Sequence, residues 1–214
     1  MKAGMGVRVV KTVSKVGATV LLMGTLAGCG DGSPSPKAAP AVDGSPAGAA
    51  PGSLRLTAPE SLPGDYRAES PANVRADHPA GPQPTGYESF DGSLVAKYTT
   101  DSGGILTIGG AWGTITDPDA VTTSAIAAMQ SPRGTWTVPL TDVDARDPHD
   151  PQGRLKCGVS TEALLVIPIC LWADHYTAGS VAFPPWAEGS PATLDQADAA
   201  DRTRRIRDTM TVPK

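Results

Sequence analysis

The chain has 214 residues, with 22 acidic against 18 basic side chains and a formal net charge of −4. That balance excludes a broad basic surface for nucleic acid. The length suits one ordinary domain rather than two lobes. Aromatic residues make up only 5% of the chain, yet four are tryptophan, which is enough to anchor a modest core.

The first fifteen residues carry Lys2, Arg8, Lys11 and Lys15 and no acid, and the apolar run VGATVLLMGTLA follows from Val16 to Ala27. A basic start and a short apolar stretch form the pattern of a secretory signal peptide. As a helix the run rises about 18 Å, short of the roughly 30 Å hydrocarbon core, so it does not span comfortably. There is no twin arginine, which favours the general export route. The run ends in Leu26, Ala27, Gly28 and Cys29. LAGC resembles the lipobox of bacterial lipoproteins. The resemblance implies cleavage between Gly28 and Cys29, leaving residues 1–28 as signal peptide. It also implies that Cys29 carries a thioether-linked diacylglyceryl group with acyl chains such as palmitate. Two chains, at about 0.8 kcal/mol per buried methylene, anchor stably where one does not. The expected location is the outer face of the cytoplasmic membrane. Residues 1–28 hold four basic and no acidic residues, so the remainder is more acidic, 14 basic against 22 acidic.

Residues 29–53 read as the lipidated cysteine and a tether. From Asp31 to Ser53, 19 of 23 residues are Pro, Gly, Ala or Ser. Such a segment buries too little apolar surface to offset its ordering entropy. As a flexible coil it averages about 25–30 Å end to end. A single extracytoplasmic domain is expected over 54–214. LRLTA at 54–58 alternates like a strand, and a second short strand passes through Tyr66. Residues 70–86 hold four prolines and read as a long loop. SLVAKYTT and GILTIGGAWGTI are two strands joined by turn residues 101–104. Gly109, Gly110 and Gly113 within the second predict a bulge or a close backbone approach. Asp117 and Pro118 predict a helix start, and the helix runs to about Met129, before Pro132. TWTVPL at 135–140 has period two. After an acidic loop come three further strand candidates, GRLKCGVS, LLVIPICLWA and HYTAGSVAF. Thr193 and Gln196, three apart, predict a capping box for a last helix whose apolar stripe is Ala199, Thr203, Ile206 and Met210. This order predicts an α+β domain, an antiparallel sheet with about two helices.

With Cys29 assigned to lipid, Cys157 and Cys170 are an even pair in an oxidising compartment and predict a disulfide. Their midpoint falls between Ala163 and Leu164. A turn there places the two cysteines opposite each other across an antiparallel pair. Pro168 argues for an edge, a bulge or a shorter span, because it cannot donate to a ladder. KCG at 156–158, C-x-W-A-D at 170–174, then Thr177, Gly179 and Val181 resemble a group of exported, membrane-anchored proteins of high-GC Gram-positive bacteria. The similarity covers 153–214 well and the earlier part loosely, and implies no activity. The element order is similar to that of Mog1/PsbP-like lipoproteins, a likeness of topology alone.

Asp142, Asp144, Asp147, His149 and Asp150 are the richest set of potential ligands, and oxygen ligands at alternating positions suit calcium. The EF-hand pattern fails, with Arg146 at the fifth position, and Asp147 and Asp150 sit beside Pro or Arg as in ordinary turns. Asp174 and His175 are adjacent, with Ser160, Thr177 and Ser180 as possible neighbours. No G-x-S-x-G elbow surrounds a serine, so a turn between strands is the plainer reading. His78 lies in the proline-rich loop. The glycine pairs make no phosphate loop, and no cofactor is expected. Arg202, Arg204, Arg205 and Arg207 alternate with acids, as on a solvated helix face; the functional alternative is contact with an anionic surface. Trp172 reads as core, and Trp186 is open. The expected function is a non-catalytic binding domain, lipid-anchored, with a protein or envelope polymer as partner. The alternatives are a small envelope hydrolase using Asp174 and His175, and a solute-binding lipoprotein, which the single-domain size disfavours.

Overall fold

The computed structural model describes residues 50, 52–75, 83–129, 134–187, 189–190 and 194–214. All lie in the unit Ser45–Lys214. Cys29, the segment 1–28, most of the tether, His78 and Thr193 lie outside the described residues.

The elements in order are β1 (Leu54–Leu56), β2 (Ser61–Leu62), β3 (Tyr66–Ala68), β4 (Asn73–Arg75), β5 (Tyr87–Thr99) and β6 (Ile105–Ile115). Then come α1 (Pro118–Met129), β7 (Gly134–Val143), β8 (Arg154–Glu162), β9 (Leu165–Ala173), β10 (Thr177–Ala182) and β11 (Trp186–Ala187). The chain ends in α2 (Gln196–Met210) and β12 (Thr211–Pro213). The fold is α+β. One antiparallel sheet runs β2-β3-β5-β6-β10-β9-β8-β7, with β4 added to β5 and β11 to β9. A separate ribbon pairs β1 with β12.

β5 begins at Tyr87, six residues before the expected strand. A register shift between Phe90 and Gly92 puts a bulge early in the strand. β4 is a short strand inside the segment expected to be loop, and pairs with β5. Asp117 caps α1, accepting from the Ala120 amide at 2.9 Å. Gly86 fixes that helix start. Its carbonyl accepts from the Thr116 and Asp117 amides, and its φ is 85°. For α2 the expected capping box is corrected: the N-cap is Asp195, which accepts from the Asp198 amide at 2.8 Å.

The hairpin β8–β9 turns at Ala163 and Leu164, both with positive φ, as a type I′ turn needs. Cys157 pairs directly with Cys170 and is bonded to it. Pro168 sits within β9, and its carbonyl accepts from Phe183. Its missing N–H therefore points to the side where Phe183, Pro184 and Pro185 leave the ladder between β10 and β11, so no ladder bond is lost.

Alternation gives the sheet two covered faces. On one, Tyr98, Ile108, Trp172, Val181 and the disulfide pack under the buried stripe Ala199, Thr203, Ile206 and Met210 of α2. On the other, Ile115, Ala173 and Ala178 meet Val121 of α1.

Candidate functional site

The acidic loop between β7 and β8 closes against the β9–β10 turn and against α2, and most of the side chains singled out above meet there. Asp174 opens the turn, its amide donating to the Thr177 carbonyl at 2.9 Å. The residue is 3% exposed, and its carboxyl is fully engaged. Oδ1 accepts from the Tyr176 and Thr177 amides at 2.6 Å each, and Oδ2 from Thr177 Oγ1 at 2.7 Å. Thr177 Oγ1 in turn accepts from the Trp172 indole. Burial, with the Asp147 charge nearby, pushes Asp174 up to about 7.

His175 does not pair with its sequence neighbour. Its Nδ1 lies 2.6 Å from Asp150 Oδ2, which also accepts from the His175 amide at 3.0 Å. Asp150 Oδ1 accepts from the Gln152 amide. A buried carboxylate holding Nδ1 of a partly exposed imidazole has the geometry that orients a general base. Neither residue lines the apolar cleft described below.

The four acids weighed as calcium ligands are dispersed onto different partners. Asp142 pairs with Lys156, Asp144 with Arg146, Asp147 with Arg207 and Asp150 with His175. Among the described residues no group of three or more His, Cys, Asp or Glu is placed to hold a metal. The arginines also divide. Arg207 is 2% exposed. It donates to Asp147 Oδ2 at 3.2 Å and to the carbonyls of Ala145 and Arg146. Arg204 donates to the Asp144 carbonyl. Both hold the acidic loop onto α2, which leaves Arg202 and Arg205 for any anionic surface. Arg207 stands four residues after Thr203, on the edge of the apolar stripe, and that spacing is the signal sequence reading passed over.

A second feature is a cleft of about 200 Å³ between α1 and the sheet. Gly109, Ala111 and Ala178 form its floor, Ala125 and Met129 its roof, and Tyr87 stands beside them. Trp172 is core, 1% exposed, and Trp186 is half-buried against the same core. Among the described residues no helix is long and apolar enough to cross a membrane.

No family model, curated protein or solved structure matches this chain. The likeness to Mog1/PsbP-like proteins therefore rests on element order alone.

Proposed function

We propose that this chain is a lipid-anchored extracytoplasmic binding domain, held at the outer face of the cytoplasmic membrane through Cys29. The observation that carries the reading is the Cys157–Cys170 disulfide across the β8–β9 hairpin. It fits an oxidising compartment and leaves Cys29, at the end of the basic and apolar leader, as the cysteine for lipid. Binding rather than turnover is supported by the polar residues. The loop carboxylates and two of the four helix arginines are engaged with one another or with backbone. The partner is a protein or an envelope polymer.

The test is fractionation and cross-linking of intact cells carrying wild type or Cys29→Ala. The reading expects the wild type in the membrane pellet with a diacylglyceryl mass on its N-terminal peptide, and one partner captured. In Cys29→Ala all three are lost. A wild type released to the medium without lipid overturns the anchor, and capture of no partner from correctly anchored protein overturns the binding role.

A small envelope hydrolase is the second reading, favoured by the 2.6 Å Asp150–His175 pair. It replaces Asp174 with Asp150 as the partner of the histidine. Labelling by a fluorophosphonate probe that disappears in His175→Ala supports it, and absence of labelling in the wild type rejects it.

A further inference from the structure

Three glycines lie where β6 and β10 run side by side beneath α1, and two of them are explained by packing. A Cβ on Gly110 would lie 2.4 Å from Leu56 Cδ1, and one on Gly179 would lie 2.2 Å from the Trp172 ring. Gly109 is different. A Cβ there meets nothing nearer than Ser180 Oγ at 3.5 Å, and its φ is outside the left-handed region. Glycine weakens a strand interior, and at this position no turn, close contact or unusual backbone conformation calls for it. What it preserves is the open space above the strand, the cleft under α1.

Tyr87 is an independent observation. It lines the same cleft, and its hydroxyl has no hydrogen-bond partner among the described residues. Burial, with the Asp174 charge, raises the phenol well above its ordinary range, so it stays an O–H donor. The residue is only partly buried and its hydroxyl keeps accessible surface, so it is available to a molecule that enters the cleft.

We propose that the cleft is a binding site for a small, mostly apolar molecule the size of a single six-membered ring. The ligand sits over Gly109, with its one polar group hydrogen-bonded to the Tyr87 hydroxyl. Size decides the class. An engineered apolar cavity of about 150 Å³ takes benzene, whereas drug-sized ligands need about 300 Å³ or more. A second copy of the chain, or another protein, needs roughly 1,000 Å² of contact, a broad surface rather than one small cleft. The proposal rests on the reading of the chain as a binding domain and is independent of the anchor.

The test uses the full chain carrying Cys29→Ala, which needs no detergent, and follows the methyl resonances of Ala125, Met129 and Ala178. The probes are benzyl alcohol, toluene and hexan-1-ol. Saturable shifts are expected with benzyl alcohol and toluene. Benzyl alcohol is expected to bind about three- to ten-fold tighter, the worth of one added hydrogen bond. That advantage disappears in Tyr87→Phe. Gly109→Val fills the floor and abolishes both shifts, and Ala125→Leu does the same from the helix side should the glycine variant fail to fold. If hexan-1-ol outcompetes benzyl alcohol, the ring assignment is wrong. Shifts that do not saturate, or that persist unchanged in the filled variants, overturn the site. Because the anchor is absent from every sample, failure here is distinct from failure of the membrane reading, which the fractionation tests.

Discussion

Asp174 shows how far a residue's role depends on its surroundings. As an exposed turn aspartate it would titrate near 4, but burial and the Asp147 charge push it up to about 7. A carboxyl raised in the folded state binds its proton there while the unfolded chain has already lost it. Its contribution to stability is fully present below the unfolded value of about 4 and is lost as pH rises through 7. Asp174→Asn keeps an oxygen for the Tyr176 and Thr177 amides and removes the titration. Denaturant melts from pH 4 to pH 8 are expected to show wild type losing a few kcal/mol and Asp174→Asn losing clearly less. A parallel decline in both proteins would place the pH dependence elsewhere. Arg207→Ala leaves Asp147 buried without its guanidinium and strips donors from the Ala145 and Arg146 carbonyls. The expected cost is about 3–5 kcal/mol, read as a lowered denaturation midpoint. A change under about 1 kcal/mol would mean that water replaces the arginine. The Asp174 turn was legible in the sequence, but neither the Arg207–Asp147 nor the Asp150–His175 pairing is. Asp150 and His175 are 25 residues apart, and only the closing of the acidic loop over the β9–β10 turn brings them together.

At the scale of elements, several short-range signals were legible, while the Thr193–Gln196 capping box gave way to Asp195 as the cap of α2. Asp117-Pro118 starts α1, the Ala163–Leu164 midpoint turns the β8–β9 hairpin, and the four-three-four stripe of α2 is buried as its period requires. One misreading has a tertiary cause. The proline-rich stretch around β4 carries loop chemistry that the neighbouring strand β5 overrides with ladder bonds. The joint between β5 and α1 yields a prediction. At Gly86 a Cβ would sit 2.6 Å from the Asp117 carbonyl oxygen and from Val121 Cγ2, at a φ of 85°. Gly86→Ala is expected to cost about 1–3 kcal/mol and to loosen the start of α1. Faster hydrogen exchange at the Ala120 and Val121 amides is the measurement. Unchanged protection there would show that the helix start is held without Gly86.

For the molecule as a whole, the disulfide joins the two strands of the β8–β9 hairpin that carries Trp172 into the core, and its cysteines are 13 residues apart. Removing both cysteines, as Cys157→Ala with Cys170→Ala, is expected to cost about 3 kcal/mol by the chain-entropy account. In a domain of this size that lowers Tm by roughly 6–12 °C. Wild type in reductant is expected to melt with the double variant. If reductant leaves wild type unchanged, the bond is inaccessible or contributes little.

Taken alone, the sequence determined the features written in local pattern: the basic and apolar leader ending in LAGC, the tether composition, the alternation of strands, the α1 start and the cysteine pairing across a predicted hairpin. These follow from neighbours within a few residues, where periodicity and capping act. The tertiary structure alone decided which charged side chains face inward, that His175 turns to Asp150 rather than to Asp174, and that Gly109 has empty space where Gly110 and Gly179 have contacts. Those outcomes depend on which surfaces close over one another at long range. A residue's type records what it is able to do, but its partner is set by the packing of distant segments.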